Sequence, residues 1–112
     1  MSLSPVAEGS SFTYKFSVKN AAQEAFAPES VDYRVDCLTT KKTIRNWTPV
    51  TPSTEMSIVV GRTDNRIESD RNVRELRQLT VRANGGLETQ FLPPDPVTWY
   101  VNNVLQGRSV SL

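Results

Sequence analysis

The clearest regularity along the chain is the alternation of apolar and polar positions. Phe12, Tyr14, Phe16 and Val18 alternate with Thr13, Lys15, Ser17 and Lys19. A period of two puts one set on a buried face and the other in water, as in a strand. This predicts a strand over residues 11–19, entered through the turn residues Gly9 and Ser10. Val31, Tyr33, Val35 and Cys37, alternating with Asp32, Arg34 and Asp36, predict a second strand. Met56, Ile58 and Val60 predict another, ended by Gly61. Leu79, Val81 and Ala83 predict a strand that starts near Val73, and Val97, Trp99 and Val101 repeat the pattern near the end.

Between these runs the pattern weakens. Residues 20–30 are rich in alanine and read as a long connection with at most one helical turn, because Pro28 stops a helix. Residues 43–47 read as a short strand centred on Ile44, and Pro49 and Pro52 make 48–54 a loop or sheet edge. Thr63, Asp64 and Asn65 are turn and cap residues, with a single helical turn expected over 65–70. A helix over 63–79 competes, but Ile67, Val73 and Leu76 do not complete an apolar stripe. Asn84-Gly85-Gly86 predicts a tight hairpin turn, with 87–91 as its return strand. Residues 1–8 and 106–112 are expected to be weakly ordered. Short strands separated by turn clusters, about seven in all, predict an all-β sandwich or small barrel.

Composition narrows the possibilities. A chain of 112 residues is sized for a single domain, here taken as 1–112. Thirteen basic and twelve acidic side chains leave a net charge of +1. That balance argues against nucleic acid, whose binders need a basic excess to displace counterions. No run of apolar residues is long enough for a membrane helix, and no secretory leader pattern is expected. Cys37 is the single cysteine, so no internal disulfide forms, and it reads as a small buried hydrophobe.

Candidate chemistry is sparse. There is no histidine, the commonest general base and metal ligand. No phosphate-binding glycine loop and no paired thiolates occur, so neither cofactor nor metal is expected, and the chain reads as a non-enzyme. Asp64, Glu68 and Asp70 lack the rhythm of a calcium loop and read as a solvated turn. Arg34, Arg45, Arg74, Arg77 and Arg82 have two readings: a partner-docking patch on neighbouring strands, or cross-strand pairing with Asp32, Asp36 and Glu75. One of the two tryptophans is expected to anchor the core. Trp47, beside Pro49, is the candidate for a contact surface, because large aromatics dominate interface energetics. The candidate interaction surface is therefore Trp47, Pro49, Arg34, Arg45 and Arg82. The run Pro93-Pro94-Asp95-Pro96 reads as a rigid kink in an edge strand.

The runs Val31-Asp32-Tyr33-Arg34-Val35-Asp36-Cys37-Leu38-Thr39 and Ile44-Arg45-Asn46-Trp47-Thr48-Pro49-Val50 resemble small immunoglobulin-like proteins encoded among bacteriophage and prophage structural genes. Thr63-Asp64-Asn65-Arg66-Ile67 and Leu79-Thr80-Val81-Arg82-Ala83 fit the same layout, while the proline run departs from it. The resemblance covers residues 9–83 and carries no catalytic motif. It implies an all-β, immunoglobulin-like (fibronectin III-like) β-sandwich of about seven strands. It also implies a structural or interaction module of a virion or its tail assembly, found in the virion or in the host cytoplasm during assembly. The implied partners are other phage structural proteins or further copies of itself, with no nucleic acid and no membrane. The alternative is an Ig-like binding module for carbohydrate or another cell-surface ligand.

Overall fold

In the computed structural model, residues 2–69, 71–86, 91–92 and 94–103 are described. Their regular structure is all strand, with no helix among them. In chain order the strands are β1 (Val6–Ala7), β2 (Phe12–Phe16), β3 (Val18–Asn20), β4 (Ala25–Phe26), β5 (Ser30–Cys37), β6 (Lys42–Val50), β7 (Met56–Val60), β8 (Arg74–Asn84), β9 (Phe91–Leu92) and β10 (Val97–Asn102). They form a five-stranded sheet in the order β1-β10-β8-β5-β6, a pair β2-β7, and a three-stranded sheet β4-β3-β9. Every pairing is antiparallel except that of β1 with β10.

The alternating positions behave as the period requires. Val31, Tyr33, Val35 and Cys37 are buried on β5, Met56, Ile58 and Val60 on β7, and Val97, Trp99 and Val101 on β10. Residues of the five-stranded sheet meet Phe16, Val18, Met56, Ile58 and Val60 in one hydrophobic cluster. Strands on both sides of a shared core are consistent with a β-sandwich. Trp99, 1% exposed, is the largest fully buried side chain, and Phe12 meets its ring edge-on with centroids 5.3 Å apart. The core anchor is thus Trp99.

Several expectations are corrected. The predicted strand over 11–19 divides at Ser17, where the partner changes from β7 to β4 and β9. Phe16 and Val18 are both buried, so the alternation continues unbroken across a change of neighbour it cannot register. Residues 20–30 contain neither a helical turn nor a plain connection, because β3 and β4 form a small hairpin. Its turn is tied by Asn20 Oδ1, which accepts from the backbone N–H of Ala22 at 3.0 Å and of Glu24 at 3.1 Å. Strand β6 runs on through Pro49 to Val50. The proline is tolerated because β6 is the last strand of its sheet, with no ladder partner on one side among the described residues.

Neither the helical turn expected after Asn65 nor the competing longer helix forms among the described residues. Asp70 lies outside them. The first six residues of β8 occupy the second part of the span the longer helix would have taken. Asn84-Gly85-Gly86 does turn, with Gly86 at φ 67° and its N–H donating to Asn84 Oδ1 at 3.0 Å. Strand β8 pairs with β10 over 74–79 and with β5 over 77–84, and beyond the turn the described residues of β9 pair with β3. Residues 87–90 of the expected return strand, Pro93 and the expected weakly ordered tail over 106–112 lie outside the described residues. The sequence marks residues 1–8 as weakly ordered. From Ser2 to Glu8 the chain is tied along β10, with a Ser2–Thr98 bridge and the Leu3 N–H donating to Thr98 O at 2.7 Å. The strand after the prolines is not an edge, since β10 has neighbours on both sides.

Candidate functional site

Strand β8 sorts its side chains strictly by parity. Glu75, Arg77, Leu79 and Val81 are buried, whereas Arg74, Leu76, Gln78, Thr80 and Arg82 stand on the other face. Each face carries its own arginine chemistry.

On the outer face, Asp32 of β5 is in register with Arg82 of β8 on one side and Pro49 of β6 on the other. Arg82 Nε donates to Asp32 Oδ2 at 3.1 Å. Its guanidinium also lies 4.0 Å from the centroid of the Trp47 ring, within cation–π range. Strand β6 reaches this position through two irregularities in its pairing with β5, between Tyr33 and Val35 and between Val35 and Asp36. Bulges of this kind re-aim side chains. One row away, Arg34 Nε donates to both oxygens of Asp36 at 3.0 Å, and its Nη2 donates to Thr43 Oγ1 at 3.1 Å. At the far side of the sheet Arg74 lies 4.2 Å from the Tyr100 ring centroid. The face therefore carries two arginine–aromatic pairs flanking Leu76, Gln78 and Thr80. Tyr, Trp and Arg are the side chains most enriched where proteins bind one another.

Four of the five candidate surface residues, Trp47, Pro49, Arg34 and Arg82, come together here. Arg45 does not join them. It is in register with the buried Val35, and its Nε donates to Asp64 Oδ1 at 2.9 Å. Asp64 is 1% exposed, so the turn it belongs to is not the solvated one expected; Asp64 Oδ2 also accepts the Gly61 N–H at 3.2 Å. The hydrogen bond that Arg45 donates to Asp64 raises the Arg45 pKa, against the smaller opposing effect of burial. Arg74 and Tyr100 were not marked by the sequence as a pair. Starting β8 at Arg74 brings them close, because Arg74 is opposite Asn102 and Leu76 opposite Tyr100.

The inner face holds a buried polar cluster. Arg77 and Glu75 are both fully buried, and Arg77 Nη1 donates to Glu75 Oε1 at 3.1 Å. Arg77 also donates to the backbone oxygen of Asp64 at 3.2 Å, to Cys37 Sγ at 3.0 Å and to the backbone oxygen of Arg66. Glu75 accepts from the N–H of Glu68 at 2.8 Å, the N–H of Ser69 at 3.0 Å and Asn72 Nδ2 at 2.8 Å. Burial alone pushes the Glu75 carboxyl up, but these bonds and Arg77 outweigh it and hold it below the usual carboxylate range. Asn65 completes the cluster, accepting from Trp99 Nε1 at 2.8 Å and donating to Ser10 O at 2.8 Å. Cys37 is buried as expected, but its neighbours are charged.

Arg77 and Glu75 were expected among the surface pairs, and the structure places them inside. Of the two readings of the arginines, cross-strand pairing is realised once, as Arg82–Asp32, whereas Arg34–Asp36 and Arg77–Glu75 pair within a single strand. Comparison of the chain with protein-family models, with curated proteins and with solved structures finds no match in any of the three. Among the described residues no three of His, Cys, Asp and Glu are grouped as a metal site, and no helix is long and apolar enough to cross a membrane. The inner cluster spends its donors and acceptors on the protein's own backbone and side chains. The outer face is where side chains with interface chemistry meet solvent.

Proposed function

We propose that the chain is a non-catalytic, immunoglobulin-like interaction module that docks a protein partner on the outer face of its five-stranded sheet, as a subunit of a phage or prophage particle or its tail assembly. The observation that carries this reading is the pairing of Arg82 with Trp47 and of Arg74 with Tyr100 on one exposed sheet face. The strand order supports the immunoglobulin-like part. Taking β5, β6, β8 and β10 as strands C, C′, F and G gives the G-F-C-C′ order of a variable-type sheet, and β2-β7 stands as B-E opposite it. Two features depart from the antibody pattern. The core tryptophan is on the last strand rather than on C, and a lone cysteine leaves no intersheet disulfide.

A carbohydrate-binding module is the competing reading, and it requires an open aromatic platform. Trp99 is buried, and Trp47 is half-buried with Arg82 against its ring. Both observations favour the protein partner. The test is co-expression with the products of the flanking genes, followed by tagged purification. The reading expects at least one head, tail or portal protein to co-purify, with capture lost in Trp47→Ala/Arg82→Ala. Failure to capture any of them, or capture indifferent to that double substitution, overturns it.

A further inference from the structure

Two of the sheet edges left unpaired among the described residues are built differently. β6 closes one side of the five-stranded sheet and carries two pairing irregularities, Pro49, and the charged residues Lys42 and Arg45. Bulges, prolines and charges are the usual devices that stop an edge from recruiting another strand. β2 has none of the first two. It pairs with β7 in uninterrupted register from Phe12 opposite Val60 to Phe16 opposite Met56, and no described residue pairs with its other side. The contrast with β3 is local, since β3 follows after Ser17 and is flanked on both sides, by β4 and by β9. Beside this edge lies an open cavity of about 300 Å³ lined by residues 3–6 and by residues 12–15 of β2, Thr13 and Lys15 included.

We infer that β2 pairs antiparallel with β2 of a second copy of this chain, about a two-fold axis at Tyr14, joining two β2-β7 pairs into one four-stranded sheet. A two-fold interface must be self-complementary, and the sequence of β2 is. With Tyr14 on the axis, Phe12 faces Phe16 of the second copy and Tyr14 faces its counterpart, so aromatic side chains meet on the core side. On the solvent side Lys15, the one charge of the strand, faces the neutral Thr13 of the second copy, and no like charges stand directly opposite. The axis also brings the two apolar cavities side by side, covering Leu3, Pro5 and Val6. This association is separate from the outer face of the five-stranded sheet, and a monomeric protein would leave the partner-docking reading standing.

The experiment is light scattering on the purified full chain over a wide concentration range, with Thr13→Lys and Thr13→Glu compared. Thr13 is exposed, so both substitutions spare the core. The expected result is a concentration-dependent mass of two chains. Thr13→Lys, which sets lysine against lysine twice per dimer, weakens association at least tenfold, whereas Thr13→Glu, which sets glutamate against lysine twice, strengthens it. Adding Lys15→Glu to Thr13→Lys restores the dimer. A single-chain mass at every concentration overturns the inference, and so does a dimer whose dissociation constant is the same in Thr13→Lys and Thr13→Glu.

Discussion

Arg77 and Arg82 stand on the same strand and on opposite faces of the same sheet, and their surroundings have little in common. Arg77 is fully buried and gives its donors to Glu75, to Cys37 and to the backbone oxygens of Asp64 and Arg66. Arg82 has a side chain 56% exposed and holds one carboxylate and one aromatic ring, both with access to water. The lesson is that residue type alone does not assign a role. A buried arginine whose three nitrogens all donate within the protein is part of the architecture, because it carries the loop between β7 and β8 onto the sheet. An exposed one beside a tryptophan is available to a partner. Burying two charges costs several kcal/mol per ion, of order-of-magnitude size, and is offset only where the remaining donors and acceptors are satisfied. The inner cluster meets that condition and the outer face has no need to.

Substitutions separate the two faces. Arg77→Ala leaves Glu75 charged and buried without its cation, and is expected to cost about 3–5 kcal/mol, read as a fall in the urea midpoint. Replacing Arg77 and Glu75 together by apolar residues sharpens the point. Such swaps are often neutral, but here Glu75 also holds the N–H groups of Glu68 and Ser69. The double variant is therefore expected to remain destabilised, and wild-type stability in it would deny the loop-holding role. Asn65→Ala removes the partner of Trp99 Nε1 and is expected to cost about 1–3 kcal/mol, with a change in tryptophan emission.

Acid acts on the same cluster through Glu75, whose pKa in the folded protein lies below its value in the unfolded chain. Its contribution is present in full above the unfolded value, about 4.3, and is lost as pH falls through the depressed folded value. Urea midpoints measured down the acid limb are expected to fall more steeply in the wild-type protein than in Glu75→Gln. Equal slopes would remove Glu75 from the account. The smallest effect is on the outer face, where Arg82→Ala is expected to change stability by no more than about 1 kcal/mol.

The parity of β8 also explains what could be read from the sequence. Strands β5, β7 and β10 were legible because their buried positions are apolar or nearly so, and the local period is all that is needed. The first half of β8 was legible as strand from a start near Val73, but the face it buries was not, because its buried positions Glu75 and Arg77 are the residue types that normally mark the wet face. Their alternation was present but carried the wrong signs for a strand, and a helix competed there for that reason. The Asn84-Gly85-Gly86 turn was legible as a turn, but the pairing of β9 with β3 was not, because it joins residues far apart in sequence. Trp47, Pro49, Arg34 and Arg82 were legible as a surface from their strands. Arg45 was not, since two irregularities in the pairing of β6 shift which of its residues face outward.

The most direct test of the division between the faces is urea unfolding of Arg77→Ala and Arg82→Ala side by side, followed by tryptophan fluorescence and compared with the wild-type chain. The account predicts a loss of about 3–5 kcal/mol for Arg77→Ala and of no more than about 1 kcal/mol for Arg82→Ala. Equal losses in the two variants, or a larger one in Arg82→Ala, would contradict it.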